Sequence, residues 1–323
     1  QVKARGRRRK PPRQYRLCHN HTEHQACNFA VPADDPNPLC VACRLTRILP
    51  DLSKPENHQR WYRIEVAKRR LFYTLAKLGL ISPEAKDGEI ERLVFEFLED
   101  QPGAPVLTGH ADGLITINVA EADDDERVRR RVALHEPYRT LLGHFRHEIG
   151  HYYWDVLIRD GGRVDAFREV FGDESVDYGE ALRRHYETGG NPDWQQAHVS
   201  AYATSHPWED WAETWAHYLH MVDLLETAAS YNTRITLPGD DEDELEELVN
   251  PFESKSPVFE ELVDQWVPIT LLVNSLNRSL GQDDAYPFAL TDGALHKLRY
   301  VHDVIQSNRR AQPADQGVER PAA

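Results

Sequence analysis

The residues of this chain that could do chemistry fall in two clusters. The first is His147-Glu148-Ile149-Gly150-His151, an H-E-x-x-H pattern. Two histidines four positions apart on a helix lie on one face, slightly more than a turn from each other, and can grip one cation. Zinc takes nitrogen, sulfur and carboxylate ligands in a tetrahedron, and a catalytic site keeps the fourth position for water. His147 and His151 are thus half of such a site, with Glu148 beside them to take a proton from an attacking water. The second cluster contains every cysteine in the chain, Cys18, Cys27, Cys40 and Cys43, spaced C-x8-C-x12-C-x2-C. The closing C-x2-C is the usual knuckle of a structural zinc site, and four thiolates complete its tetrahedron. Disulfides are the other use of such cysteines, but without a visible secretion signal the chain is expected in a reducing compartment, where clustered cysteines serve metals. His19, His21 and His24, between the first two cysteines, read as loop residues.

Several elements must position these groups. From about Tyr138 to Ile158, Leu141, Leu142, Phe145, Ile149, Tyr152 and Val156 recur at helical spacing, and Gly161-Gly162 supplies a stop. Ser53 to Gly79 predicts another helix, with Trp61, Ile64, Leu71, Leu75 and Leu78 inward and Lys68-Arg69-Arg70 outward. Between them Leu93–Leu98 and Leu114–Val119 are strand-like, separated by turn residues Pro102-Gly103 and Asp112-Gly113. As an edge strand beside the motif helix, Leu114–Val119 could pair with an extended peptide; as an ordinary hairpin strand it would not. Residues 121–131 are a charge run, read as a solvated loop or helix start. Residues 163–203 predict short amphipathic helices, with Phe167, Val170 and Phe171 in one, Tyr178, Leu182 and Tyr186 in another, and Pro192 opening a third. Their role reads as packing.

Pro207 suits the first turn of a further helix. Trp208, Trp211, Ala212, Trp215, Tyr218 and Leu219 give it a broad apolar face, so Glu209 and Glu213 border an aromatic wall. Acids there must be paired or bound to a cation, because burying a free carboxylate is costly. The missing third ligand is expected among them, with Asp210 as the alternative to Glu209. His144, His185, His217 and His220 read as surface or core residues. Beyond an acidic loop at Asp240–Glu247, Val258–Gly281 predicts a helix bent at Pro268, with Leu262, Trp266, Leu271, Leu272 and Leu276 inside. A last helix spans Ala294–Gln306.

The 323 residues, 40% hydrophobic and 28% charged, suit a soluble protein with a sizeable core. No apolar run reaches the ~18 residues of a membrane span. The net charge is −15, but residues 1–16 carry eight Lys or Arg and no acid, which leaves 30 basic against 53 acidic groups in the rest. That acidic body disfavours nucleic acid, and the short basic arm reads as a solvated linker. Gln1 at the start and a single methionine, Met221, read as a chain lacking a leading piece.

The His147-Glu148-x-x-His151 motif, followed by a helix with Glu209-Asp210-Trp211-Ala212-Glu213, resembles the gluzincin class of zinc metallopeptidases. With Tyr202-Ala203 ahead of it, this string is similar to the catalytic domain of anthrax lethal factor and its relatives. The chain as a whole, from the cysteines to the last helices, resembles a family of bacterial zinc-binding metallopeptidases of undefined substrate. The resemblance implies that Glu209 is the third zinc ligand and that Glu213 orients a ligating histidine. It also implies that Tyr202 donates a hydrogen bond to the oxyanion. Members often carry an additional zinc ribbon, which reads as absent here.

The resulting expectation is a mainly helical α+β protein in four parts. These are a basic disordered arm (1–16), a four-cysteine zinc module (17–50), a zincin-like metallopeptidase domain with a small sheet (51–306) and a disordered tail (307–323). It would bind one catalytic and one structural Zn2+, act on peptide or protein substrates in the cytoplasm, and use neither membrane nor nucleic acid. The alternative is a zinc-stapled scaffold whose helical site is not catalytic.

Overall fold

A computed structural model describes residues 13–90, 92–133, 140–235, 248–252 and 258–311. Of the two segments expected to be disordered, residues 1–12 and 312–323 lie outside this range, as does the acidic loop Asp240–Glu247.

Strand β1 (Tyr15–Leu17), helix α1 (His19–Thr22), strand β2 (Ala30–Pro32) and helix α2 (Val41–Arg44) surround the cysteines, with β1 and β2 antiparallel. The arm therefore ends before Tyr15, whose hydroxyl donates to Glu84 at 2.8 Å. Strand β3 (Thr46–Ile48) lies within the expected zinc module but pairs in parallel with β4 (Val94–Leu98), so module and body share a sheet. Next to β4 runs β6 (Leu114–Asn118), parallel to it, and β5 (Gly109–Ala111) closes the sheet antiparallel to β6. The order β3-β4-β6-β5 corrects one expectation. The strand at Leu114–Asn118 is interior, and the edge belongs to β5. Asp112 and Gly113 turn between them with φ of 47° and 84°, the left-handed pair that a two-residue hairpin demands.

Helix α3 (Pro55–Lys77) packs its Trp61, Ile64, Leu71 and Leu75 inward as its period demands. Lys68 and Arg69 are buried as well, against expectation. The Lys68 ammonium has Glu65 at 2.7 Å and lies over the rings of Phe95 and Phe97, so its charge is compensated inside. Helix α4 (Asp124–Ala133) covers the charge run.

The motif helix α5 (Leu141–Tyr153) is capped by Thr140, whose hydroxyl accepts from the Gly143 amide at 2.9 Å, and it continues as a π-helical turn over Trp154–Arg159. Helices α6 (Val164–Phe171) and α7 (Tyr178–Thr188) follow, but Pro192 precedes only a 3-10 turn at Trp194–Gln196. Helix α8 (Pro207–Ser230) is the central one, against which α5, α9 (Phe259–Ser279) and α10 (Asp292–Ala311) pack. The tail is thus helical through Ala311. In α9, Leu262 and Trp266 are buried, whereas Leu271, Leu272 and Leu276, expected inside, are exposed. Beyond Pro268 the helix keeps its apolar residues, but no described element covers that face.

Candidate metal centres

Two helices meet tightly at the motif. A Cβ on Gly150 would lie 3.1 Å from the Ala212 Cα, and the Trp211 indole N–H donates to the Gly150 carbonyl at 2.8 Å. The small residue in the middle of H-E-x-x-H is what lets α8 approach α5. That approach brings distant parts of the chain together: one ring nitrogen each of His147 and His151 and a Glu209 carboxylate oxygen lie within 4.8 Å of one another.

The separations are specific. His147 Nε2 is 3.2 Å from His151 Nε2 and 3.0 Å from Glu209 Oε2, and His151 Nε2 is 3.5 Å from Glu209 Oε1. A tetrahedron with zinc-ligand bonds of about 2.1 Å has edges of roughly 3.4 Å. His147 Nδ1 is 2.7 Å from Glu213 Oε1, so its N–H faces a carboxylate acceptor and Nε2 is the ring nitrogen turned toward the other two groups. Two ring nitrogens and a carboxylate oxygen converge here, a donor set that suits a cation. The electrostatics show that the two carboxylates draw positive charge to this point. Burial opposes a charge on His147, yet Glu209 and Glu213 raise its pKa well above the usual imidazole value. Burial likewise opposes ionisation of Glu209, but His151 and His147 hold its carboxyl well below the usual range.

Glu213 is itself held by the Ser200 hydroxyl, which donates to its Oε2 at 2.6 Å and accepts from the Ala203 amide. Ser200 is legible in the sequence only as part of the string leading to Tyr202, with no signal of its own. Tyr202 opens a 3-10 turn and sets its ring 6.0 Å from that of His147. Glu148, on the same helix as the two histidines, is buried, and burial raises its pKa despite the opposing charges of His147 and His151.

Asp210, the alternative ligand, is engaged elsewhere: Lys297 lies 2.5 Å away, and burial first, with the ammonium opposing, lifts its carboxyl to about 7. His144 faces Glu121 at 3.7 Å, His217 contacts the Tyr286 hydroxyl at 2.6 Å, and His220 contacts Arg146. Three residues at the site carry no sequence signal of that role. Trp208 lies 3.9 Å from the His151 ring, His110 on β5 stacks on the same ring at 5.9 Å, and the Tyr178 hydroxyl donates to Glu209 Oε1 at 2.8 Å. The spacing around Tyr178 reads as packing, because a tyrosine at helical spacing looks the same in either role.

The cysteines converge too. All four sulfurs lie within 4.8 Å of one another and are buried. Cys27 and Cys40 are 3.7 Å apart, far beyond the ~2.05 Å of a disulfide and close to the roughly 3.8 Å edge of a tetrahedron with zinc-sulfur bonds of about 2.3 Å. Backbone amides of Cys40 and Phe29 point at the sulfurs of Cys18 and Cys27, favouring their charged form. His19, His21 and His24 stay outside this set; His21 Nδ1 contacts the Cys27 carbonyl at 2.6 Å.

Residues 3–54 match the model of a zinc-ribbon domain. The ribbon expected to be absent is therefore the cysteine cluster itself. A protein of Mycobacterium tuberculosis and one of Mycobacterium bovis, each described only as uncharacterized, are 42% identical to this chain over 280 residues, covering 86% of it and 79% of each relative. No solved structure matches. Residues 57–304, which carry both helices of the motif site, match the model of the family described as "Putative zinc-binding metallo-peptidase", and to that family the chain belongs.

Proposed function

We propose that the chain is a gluzincin-type zinc metallopeptidase that hydrolyses peptide bonds, with His147, His151 and Glu209 as the ligands of its catalytic zinc. The observation that carries this reading is the convergence of two imidazole nitrogens and a carboxylate oxygen at tetrahedral spacing, with Glu213 fixing the tautomer of His147. When bound, zinc would acidify a water and polarise the scissile carbonyl. Glu148 takes the proton of the attacking water and returns it to the leaving amine. Burial suits it to this task, since a carboxylate whose pKa is raised binds a proton more firmly during turnover and can still release it. Tyr202, with its ring against His147, donates its hydroxyl proton as a hydrogen bond to the oxyanion. An extended peptide would pair with β5, whose outer edge borders the sheet and whose His110 stacks on His151. Cys18, Cys27, Cys40 and Cys43 hold a second, structural zinc. Four clustered thiols fit a reducing compartment and so support a cytoplasmic location.

The test is elemental analysis and peptide-library digestion of the wild type beside Glu148→Gln. The wild type is expected to hold two zincs and to cleave, the variant to hold two zincs and not to cleave. Cleavage surviving in Glu148→Gln would sink the mechanism. Two zincs with no cleavage by either protein would favour the scaffold reading.

A further inference from the structure

We infer that Tyr178 is a positioning residue of the helical metal centre: its hydroxyl occupies one oxygen of Glu209, so that the other is the one presented to the cation. This rests on Glu209 being a zinc ligand, as proposed above. Helix α7, which carries Tyr178, has no buried side chain, and it is flanked by Gly172 (φ 96°) and by Gly189 and Gly190 (φ 77° and 76°). Tyr178 is 39% exposed, yet its hydroxyl reaches a carboxylate that is 1% exposed. A tyrosine serving only to pack would bury its ring. This one leaves the ring partly in solvent, against His206 and Trp208, and turns its polar end to Glu209.

The consequence follows from how carboxylates bind zinc. With both oxygens available, Glu209 could take two positions around the ion and crowd out the open one that catalysis needs. A donor on Oε1 takes one of that oxygen's two lone pairs and weakens its pull on a cation, which favours Oε2, 3.0 Å from His147 Nε2, over Oε1, 3.5 Å from His151 Nε2. Tyr202 is different: its ring lies against that of His147 and its side chain hydrogen-bonds that of Tyr178, while the hydroxyl on Glu209 itself is that of Tyr178. The two phenols should therefore separate, Tyr178 acting on metal retention and Tyr202 on turnover.

The experiment follows zinc release from the full chain to a chromogenic chelator, for wild type, Tyr178→Phe, Tyr202→Phe and His151→Ala. Tyr178→Phe keeps the ring and removes only the hydroxyl. It is expected to release one of its two zincs about tenfold faster, the usual scale for losing a partner of a metal ligand, with the cysteine-bound zinc and Tyr202→Phe unchanged. Equal release from Tyr178→Phe and wild type, while His151→Ala has lost one zinc, overturns the inference and leaves the site intact. Faster release of both zincs overturns it as well, since that marks a general loosening of the fold. If His151→Ala holds as much zinc as wild type, the ligand assignment fails and this inference falls with it.

Discussion

The two clusters solve the same coordination problem in opposite ways. The cysteines lie between residues 18 and 43, on turns and helix starts, and all four sulfurs are buried. The helical centre draws its groups from α5 and α8 and keeps one side reachable, with the His147 side chain 15% exposed. On the reading proposed above, a closed set of four thiolates would have no position left for a substrate, whereas three ligands beside a buried carboxyl would. The comparison teaches that the first cluster is assembled by one short segment, whereas the second is assembled only when two distant helices pack.

That contrast can be broken most severely at the cysteines. Cys40→Ser should lose one zinc and unfold the segment around β1, β2 and α2, since structural zinc contributes on the order of 10 kcal/mol to small zinc domains. A thermal melt indistinguishable from wild type would mean that the cluster is no staple. His151→Ala, by contrast, should lose one zinc while its far-ultraviolet circular dichroism keeps the wild-type helical signal. Next in size, Glu148→Gln should cut peptide hydrolysis by about 10²–10⁴-fold, the usual contribution of a positioned general base, with zinc content unchanged. Glu213→Gln should weaken zinc at the helical centre by about 10–100-fold, read by chelator competition, and leave the cysteine zinc alone. Similar in energy but different in kind, Gly150→Val should cost about 1–3 kcal/mol in denaturant unfolding, because its side chain meets the α8 backbone and Trp215. The smallest effect belongs to Ser200→Ala. Losing its hydrogen bond to Glu213 should cost about 1 kcal/mol, visible as a several-fold change in zinc affinity.

Local pattern made much of this legible. The stripe through Phe145 and Ile149 predicts α5, Pro207 marks the start of α8, and the hairpin turn at Asp112-Gly113 follows from its residues. The failures share a cause. Lys68 and Arg69 look like surface charges until Glu65 and two phenylalanines enclose Lys68, and Leu271, Leu272 and Leu276 look like core until no described element meets them. The edge of the sheet passed from the strand at Leu114–Asn118 to β5 because strand order depends on pairing between distant segments.

By itself, the sequence determined which residue types could bind metal and on which helix faces they stand, because helical period and ligand spacing are properties of a few consecutive residues. It also placed the candidates for a third ligand in a short acidic run on one helix. The surroundings of Glu209, Asp210 and Glu213 were set by the tertiary structure alone, which places the first against two imidazoles, the second against Lys297 and the third behind His147. It alone brought Ser200, His110 and Tyr178 to the site. Carboxylates on adjacent turns of one helix are chemically alike, and what separates their roles is the partner that packing sets in front of each.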